Sequence, residues 1–131
     1  MQRLLLLFGR NGALVLALMV FAPFAYASNC SMLSYAVDDA RTKLKRAANE
    51  TDFEDAKDYA RRAKRALDDA SMAAMDCRCD MAQMEFDSAA SRARRARDAD
   101  DPKEFADSLN RASRTFNSAI EALRTCSRGR R

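Results

Sequence analysis

Apolar residues recur along the chain at alternating steps of three and four. Leu33, Val37, Ala40, Leu44 and Ala47 follow the rule, and Ala56, Ala60, Ala63, Leu67, Ala70, Ala74 and Cys77 resume it after a gap. A second pair of runs repeats it: Ala82, Phe86, Ala89, Ala93 and Ala96, then Phe105, Leu109, Ala112, Phe116, Ala119, Leu123 and Cys126. Such spacing lays one apolar stripe along each of four helices, of the kind that lets antiparallel helices mesh side by side. The expected fold class is all-α: an antiparallel four-helix bundle made of two tandem disulfide-stapled α-hairpins.

Polar punctuation agrees with four segments. Asp101 precedes Pro102 and Glu104, a strong helix start, and Asp52 with Phe53 and Asp55 stands in the matching place of the first half. Ser31 and Asp80 are the expected caps of the other two helices, with Gln83 reaching back to Asp80. Turns near 49–52 and 98–101 are short enough to force antiparallel neighbours. The stretch 77–79, Cys-Arg-Cys, holds neither Gly nor Pro. Helices two and three therefore either run on as one rod or fold back sharply; the fold-back is preferred, because it buries weak apolar faces on both sides.

The halves are related. Cys30 to Cys77 and Cys79 to Cys126 are both 47 residues apart, and a shift of 49 superposes the two segments without a gap. Identities include Met32/Met81, Asp38/Asp87, Ala40/Ala89, Arg46/Arg95, Asp52/Asp101, Ala63/Ala112, Arg65/Arg114 and Ala70/Ala119. Since 49 is seven heptads, the shift preserves helical phase, and an internal duplication follows. The expected organisation is a first hairpin over 28–77 and a second over 78–127, packed as one domain over 28–127, with a basic tail at 128–131.

Residues 1–27 read as an export signal: Arg3 and Arg10, an apolar run from Ala13 to Ala22, Pro23, and Ala25-Tyr26-Ala27 as a cleavage motif. The rival is a membrane anchor, but the uncharged stretch is barely long enough to cross a hydrocarbon core. Lipidation at Cys30 is disfavoured by Ala27 and Asn29. The expected location is periplasmic or secreted, after cleavage near Ala27. Asn29-Cys30-Ser31 and Asn49-Glu50-Thr51 match the N-glycosylation pattern and matter only in a eukaryotic secretory pathway.

The leader also changes the charge picture. The whole chain of 131 residues has 23 Lys plus Arg against 19 Asp plus Glu. Without Arg3 and Arg10 the ratio is 21 to 19, and without the tail's Arg128, Arg130 and Arg131 it is 18 to 19. The basic pI thus belongs mainly to the leader and tail, and nucleic acid is not an expected partner. With no His, most common catalytic and metal-binding arrangements are excluded, and an enzyme is not expected. Asp68, Asp69, Asp76 and Asp80 offer carboxylates, but nothing in the pattern buries them as acid-base chemistry requires.

Four cysteines in an exported chain predict two disulfides. The equal spacings favour Cys30 with Cys77 and Cys79 with Cys126; the crossed pairing, Cys30 with Cys79 and Cys77 with Cys126, is the alternative, and Cys77 with Cys79, which closes a tight ring, is the least favoured. A second chemistry overlaps them. Met72, Met75, Cys77, Cys79, Met81 and Met84 form a near-palindromic string of soft ligands, the donor set that selects Cu(I) when imidazole is lacking. Against it, thiols pair off in an oxidising compartment and Met fills loose cores, so no cofactor is expected.

Basic residues recur in both halves: Lys43, Lys45 and Arg46 match Arg92, Arg94 and Arg95. They form either a basic patch for an anionic envelope surface or an ordinary solvated face paired with interleaved aspartates. Three roles follow: binding another protein, in an inhibitor, immunity or chaperone-like manner; Cu(I) handling at the Met and Cys end; and attachment to anionic membrane or lipopolysaccharide. The paired halves also allow a homodimer.

Overall fold

The computed structural model describes residues 30–129; the leader, its cleavage motif, Asn29, Arg130 and Arg131 lie outside them. The described residues form four helices: α1 over 30–49, α2 over Phe53–Asp76, α3 over Asp80–Arg97 and α4 over Pro102–Gly129. No strand occurs among them.

Helix starts follow the local chemistry read from the sequence. An Asp52 carboxylate oxygen accepts from the Asp55 amide at 2.9 Å, and Asp101 Oδ1 accepts from the Glu104 amide at 2.8 Å. Glu104 then accepts from the Asp100 amide at 3.4 Å, so donors left over at the start of α4 are satisfied from both directions.

The fold-back at Cys77–Cys79 has another cause than the expected cap. Arg78 adopts φ of 60°, in the left-handed region. Its amide donates to the Met75 carbonyl at 3.0 Å, and the Cys79 amide donates to Ala74 at 2.9 Å. This pair of bonds is the Schellman termination, which reverses the chain within three residues. Cys79 then precedes α3 with no side-chain cap, and Asp80 is the first helical residue rather than the cap. There its charge favours the positive helix end. Ser31 likewise lies inside α1.

The four stripes meet in one core. Val37, Ala40, Leu44, Ala63, Leu67, Ala70, Phe86, Ala89, Phe105, Leu109, Ala112 and Phe116 are all buried. α3 packs along both α2 and α4, whereas α2 and α4 touch only marginally and lie diagonally opposite. α1 closes the ring: Arg46 sits 6.0 Å above the Tyr59 ring of α2, and Arg41 sits 5.6 Å above the Phe116 ring of α4. The core is unequal between halves, because Phe86, Phe105, Leu109 and Phe116 stand where the first half has Val37, Ala56, Ala60 and Leu67. Phe86 and Phe116 pack with centroids 6.2 Å apart, and Phe53 meets Phe105 edge-on at 5.9 Å. Among the described residues no helix is long and apolar enough to cross a membrane.

Candidate functional site

All four cysteines gather at one end of the bundle. Cys30 is bonded to Cys77 and Cys79 to Cys126, with Cα separations of 5.6 and 5.7 Å. The bonds tie α1 to α2 and α3 to α4, and no free cysteine remains among the described residues. Two disulfides match an oxidising, extracellular type of environment. They also take every thiolate out of the soft-ligand string, leaving only the thioethers of Met72, Met75, Met81 and Met84. Among the described residues no group of three or more Cys, Asp or Glu is arranged to hold a metal ion.

Those methionines do not fill the core. Met32, Tyr35, Met72, Met75, Met81 and Met84 have between 50% and 72% of their surface exposed, and they are the large apolar side chains the described bundle leaves in solvent. Their positions obey one rule. Each lies two or five residues from a cysteine: Met32 and Tyr35 after Cys30, Met75 and Met72 before Cys77, Met81 and Met84 after Cys79. At a rise of about 1.5 Å per residue this makes two apolar tiers, about 3 and 7.5 Å below the disulfides, on three of the four helices. On α4 the matching positions are Arg124 and Glu121, which form an ion pair at 2.7 Å instead.

Carboxylates frame the tiers. Asp76 and Asp80 adjoin the cysteines on one edge, and Asp38, Asp69 and Asp87 lie eight residues from a cysteine on the other. Between residues 69 and 87 Arg78 is the one cation, against Asp69, Asp76, Asp80, Glu85 and Asp87. Asp69, Asp76 and Asp80 are exposed, and Asp68 is engaged by Lys64 at 2.6 Å.

The same end is open beside the disulfides, with a smaller hollow between α3 and α4 lined by Met81, Ala122 and Thr125 and a larger one between α1 and α4. Between α1 and α4 runs a groove of about 600 Å³ lined by Leu33, Val37, Ile120, Leu123 and disulfide cysteines. The seam related to it by the repeat, between α2 and α3, has Ser71 in place of Ile120 and Ala74 in place of Leu123. There the buried Ser71 hydroxyl donates to Asp87 at 2.6 Å. The sequence pattern did not reveal this inequality, although the Ser71/Ile120 mismatch was its signal.

The basic positions sit further along the helices and are less uniform than their sequence suggested. Lys43 pairs with Asp39 at 3.8 Å, Arg46 stacks on Tyr59, and the Nε of Arg92 is buried without a hydrogen-bond partner among the described residues. Lys45, Arg94 and Arg95 are exposed and carry no ion pair among those residues. Neighbouring cations are mostly engaged: Arg61 and Arg62 both reach Asp58, Arg62 at 3.0 Å. The Arg61 hydrogen bond holds the Asp58 carboxyl below the usual carboxylate range.

Two surfaces thus stand apart, an acidic, methionine-rich disulfide end and a partly neutralised basic region toward the opposite end, and the chain matches no protein-family model, curated protein or solved structure.

Proposed function

We propose that this chain is an exported, non-catalytic binding protein that recognises another protein through the disulfide end of its helical bundle. One observation carries the proposal: the exposed large apolar side chains of the described bundle are confined to that end, in two tiers set by the cysteine positions. Soluble proteins seldom leave contiguous large apolar surface in water, and such a patch rimmed by polar groups marks an interaction site. The signal-like residues 1–27 and the two disulfides support a periplasmic or secreted setting. The scaffold suits the role, since two disulfides at the presenting end restrain the backbone beneath the exposed side chains.

The test is a photo-crosslinking amino acid installed in the native compartment at position 72, with position 117, exposed on α4, as control. A discrete adduct from 72 and none from 117 is the expected result. Equal labelling from both, or none from 72, overturns it.

A second reading has an observation of its own: Lys45, Arg94 and Arg95 are exposed and unpaired among the described residues. They support contact with an anionic envelope surface. Co-sedimentation with anionic vesicles that weakens as salt rises is the expected result, and absence of binding at low ionic strength sinks it.

A further inference from the structure

We infer that the partner segment is a basic amphipathic helix, docked across the face made by α2 and α3 at the disulfide end. The inference rests on the binding role proposed above and adds the chemistry and shape of what is bound.

The apolar floor of this face is Met72, Met75, Met81 and Met84, all exposed. Thioether side chains are unbranched and polarisable, so they mould to apolar groups of varied shape, a property that suits a surface for a helix stripe. The floor is bounded by two acidic edges. Asp76 and Asp80 flank it at the turn, and Asp69 and Asp87 flank it from below. On each helix the two edges are seven residues apart, about 10 Å at the rise of an α-helix, which is close to the width of a helix with its side chains. A helix laid crosswise in this frame therefore puts its apolar stripe on sulfur and its flanks beside carboxylates. Two neighbouring helices present a face about 20 Å across, enough for about 13 residues of bound helix.

The sign of the partner follows from charge. Arg78 is the single cation of residues 69–87, facing five carboxylates. A helix with Lys and Arg beside its apolar stripe is complementary, the pattern by which helical targets are taken up in methionine-lined grooves. An anionic lipid surface is repelled by the same carboxylates. So is a second copy using the same face, because a twofold contact sets like edges against each other. The bound helix also needs a floor that holds its shape, and the Ser71 to Asp87 bond at 2.6 Å fixes α2 against α3 beneath it.

The probe is a pair of synthetic helical peptides of about 14 residues with one shared leucine stripe, flanked by Lys in one and Glu in the other. Each is titrated into the oxidised protein carrying carbon-13 methionine methyls. The Lys peptide is expected to shift the methyls of Met72, Met75, Met81 and Met84, and to bind at least about tenfold more tightly than the Glu peptide. Its affinity is expected to fall several-fold between about 50 and 500 mM salt. The triple variant Asp69→Asn, Asp76→Asn, Asp80→Asn is expected to lose most of the preference while keeping its helical circular dichroism, since these side chains are exposed. Equal binding of both peptides, binding of neither, or shifts elsewhere overturns the inference. So does a concentration-dependent shift of the same methyls without peptide, which makes the occupant a second copy. If crosslinking from position 72 succeeds while the Lys peptide fails, the partner chemistry is wrong and the binding role stands; if crosslinking fails, the role itself falls.

Discussion

The Ser71 hydroxyl on α2 donates to the Asp87 carboxylate on α3 at 2.6 Å, whereas the residues that the 49-residue repeat places opposite each other on α4 and α1 are Ile120 and Asp38. Asp38 turns to Arg41 on its own helix, at 2.9 Å. One interface between the halves is thus closed by a part-buried polar bond and the other is left as a groove with an apolar lining. Ser71→Ala is expected to cost about 1 to 2 kcal/mol, because it removes a bond to a carboxylate from a buried hydroxyl. Asp38→Ala, which breaks only a solvent-exposed pair, is expected to cost less than about 1 kcal/mol. Urea titrations of both variants measure the contrast, and equal effects contradict the inequality of the two seams.

Arg78 makes the second test. A residue with a Cβ in the left-handed region is strained by about 1 to 2 kcal/mol relative to ordinary helix geometry, and glycine is not. Arg78→Gly, at φ of 60°, is therefore expected to raise stability by about 0.5 to 1 kcal/mol despite the extra freedom of the unfolded chain. A rise in urea midpoint with unchanged slope is the expected signature. A loss of stability means that the Arg78 side chain makes a contact worth more than the strain.

What could be read beforehand was whatever short-range chemistry decides. Asp52 and Asp101 carry their own donors' partners within three residues, so the helix starts were visible. The apolar steps fixed the inner faces, and the matched cysteine spacings favoured the pairing that is observed. The break at Cys77–Cys79 was ambiguous because the residue that takes the left-handed conformation there is Arg rather than Gly. The same turn displaced the expected cap from Asp80 to Cys79. Methionine spacing looked like a ligand string along the chain, yet in three dimensions the rule of two and five residues from each cysteine turns it into an outward surface. Leu33 and Leu123 belong to the apolar stripes but are only partly buried, because α1 and α4 part beside the groove, and Cys126 is partly buried beside the smaller hollow between α3 and α4.

Acid stability follows from the carboxylates with displaced titration. The Arg97 hydrogen bond holds Asp98 below the usual carboxylate range, and Arg61 does the same for Asp58. A lowered folded value adds stability above the unfolded value of about 3.9 and loses it as pH falls through the folded one. Asp55 has the opposite sign: the charge of Asp52 raises it, so taking up a proton there favours the folded form and partly offsets the loss. These groups are exposed, so the slope is shallow. With no histidine in the chain, the melting temperature is expected to be flat from about pH 5 to 8 and to decline only below about pH 4. A step between pH 5 and 8 contradicts this account, and Asp98→Asn is expected to flatten the acid limb.

The two disulfides have equal sequence separations of 47, so loop entropy gives each about the same global effect, on the order of 4 kcal/mol. Their local effects should differ, because the helices they restrain are anchored unequally. α4 is held in the core by Phe105, Leu109 and Phe116, with Phe86 packed on the last of these. α1 brings only Val37 and Leu44 as large buried side chains, and it borders the open groove. Paired replacement of Cys30 and Cys77 by Ser is therefore expected to free α1 selectively, with its amides exchanging several orders of magnitude faster while α3 and α4 stay protected. Replacing Cys79 and Cys126 instead lowers protection across the whole bundle, since α4 leaves only when its aromatic residues do. Hydrogen exchange resolved by helix reads the two patterns directly. Selective release of α4 in the second variant, with α1 still protected, refutes the unequal anchoring argued from Phe86 and Phe116.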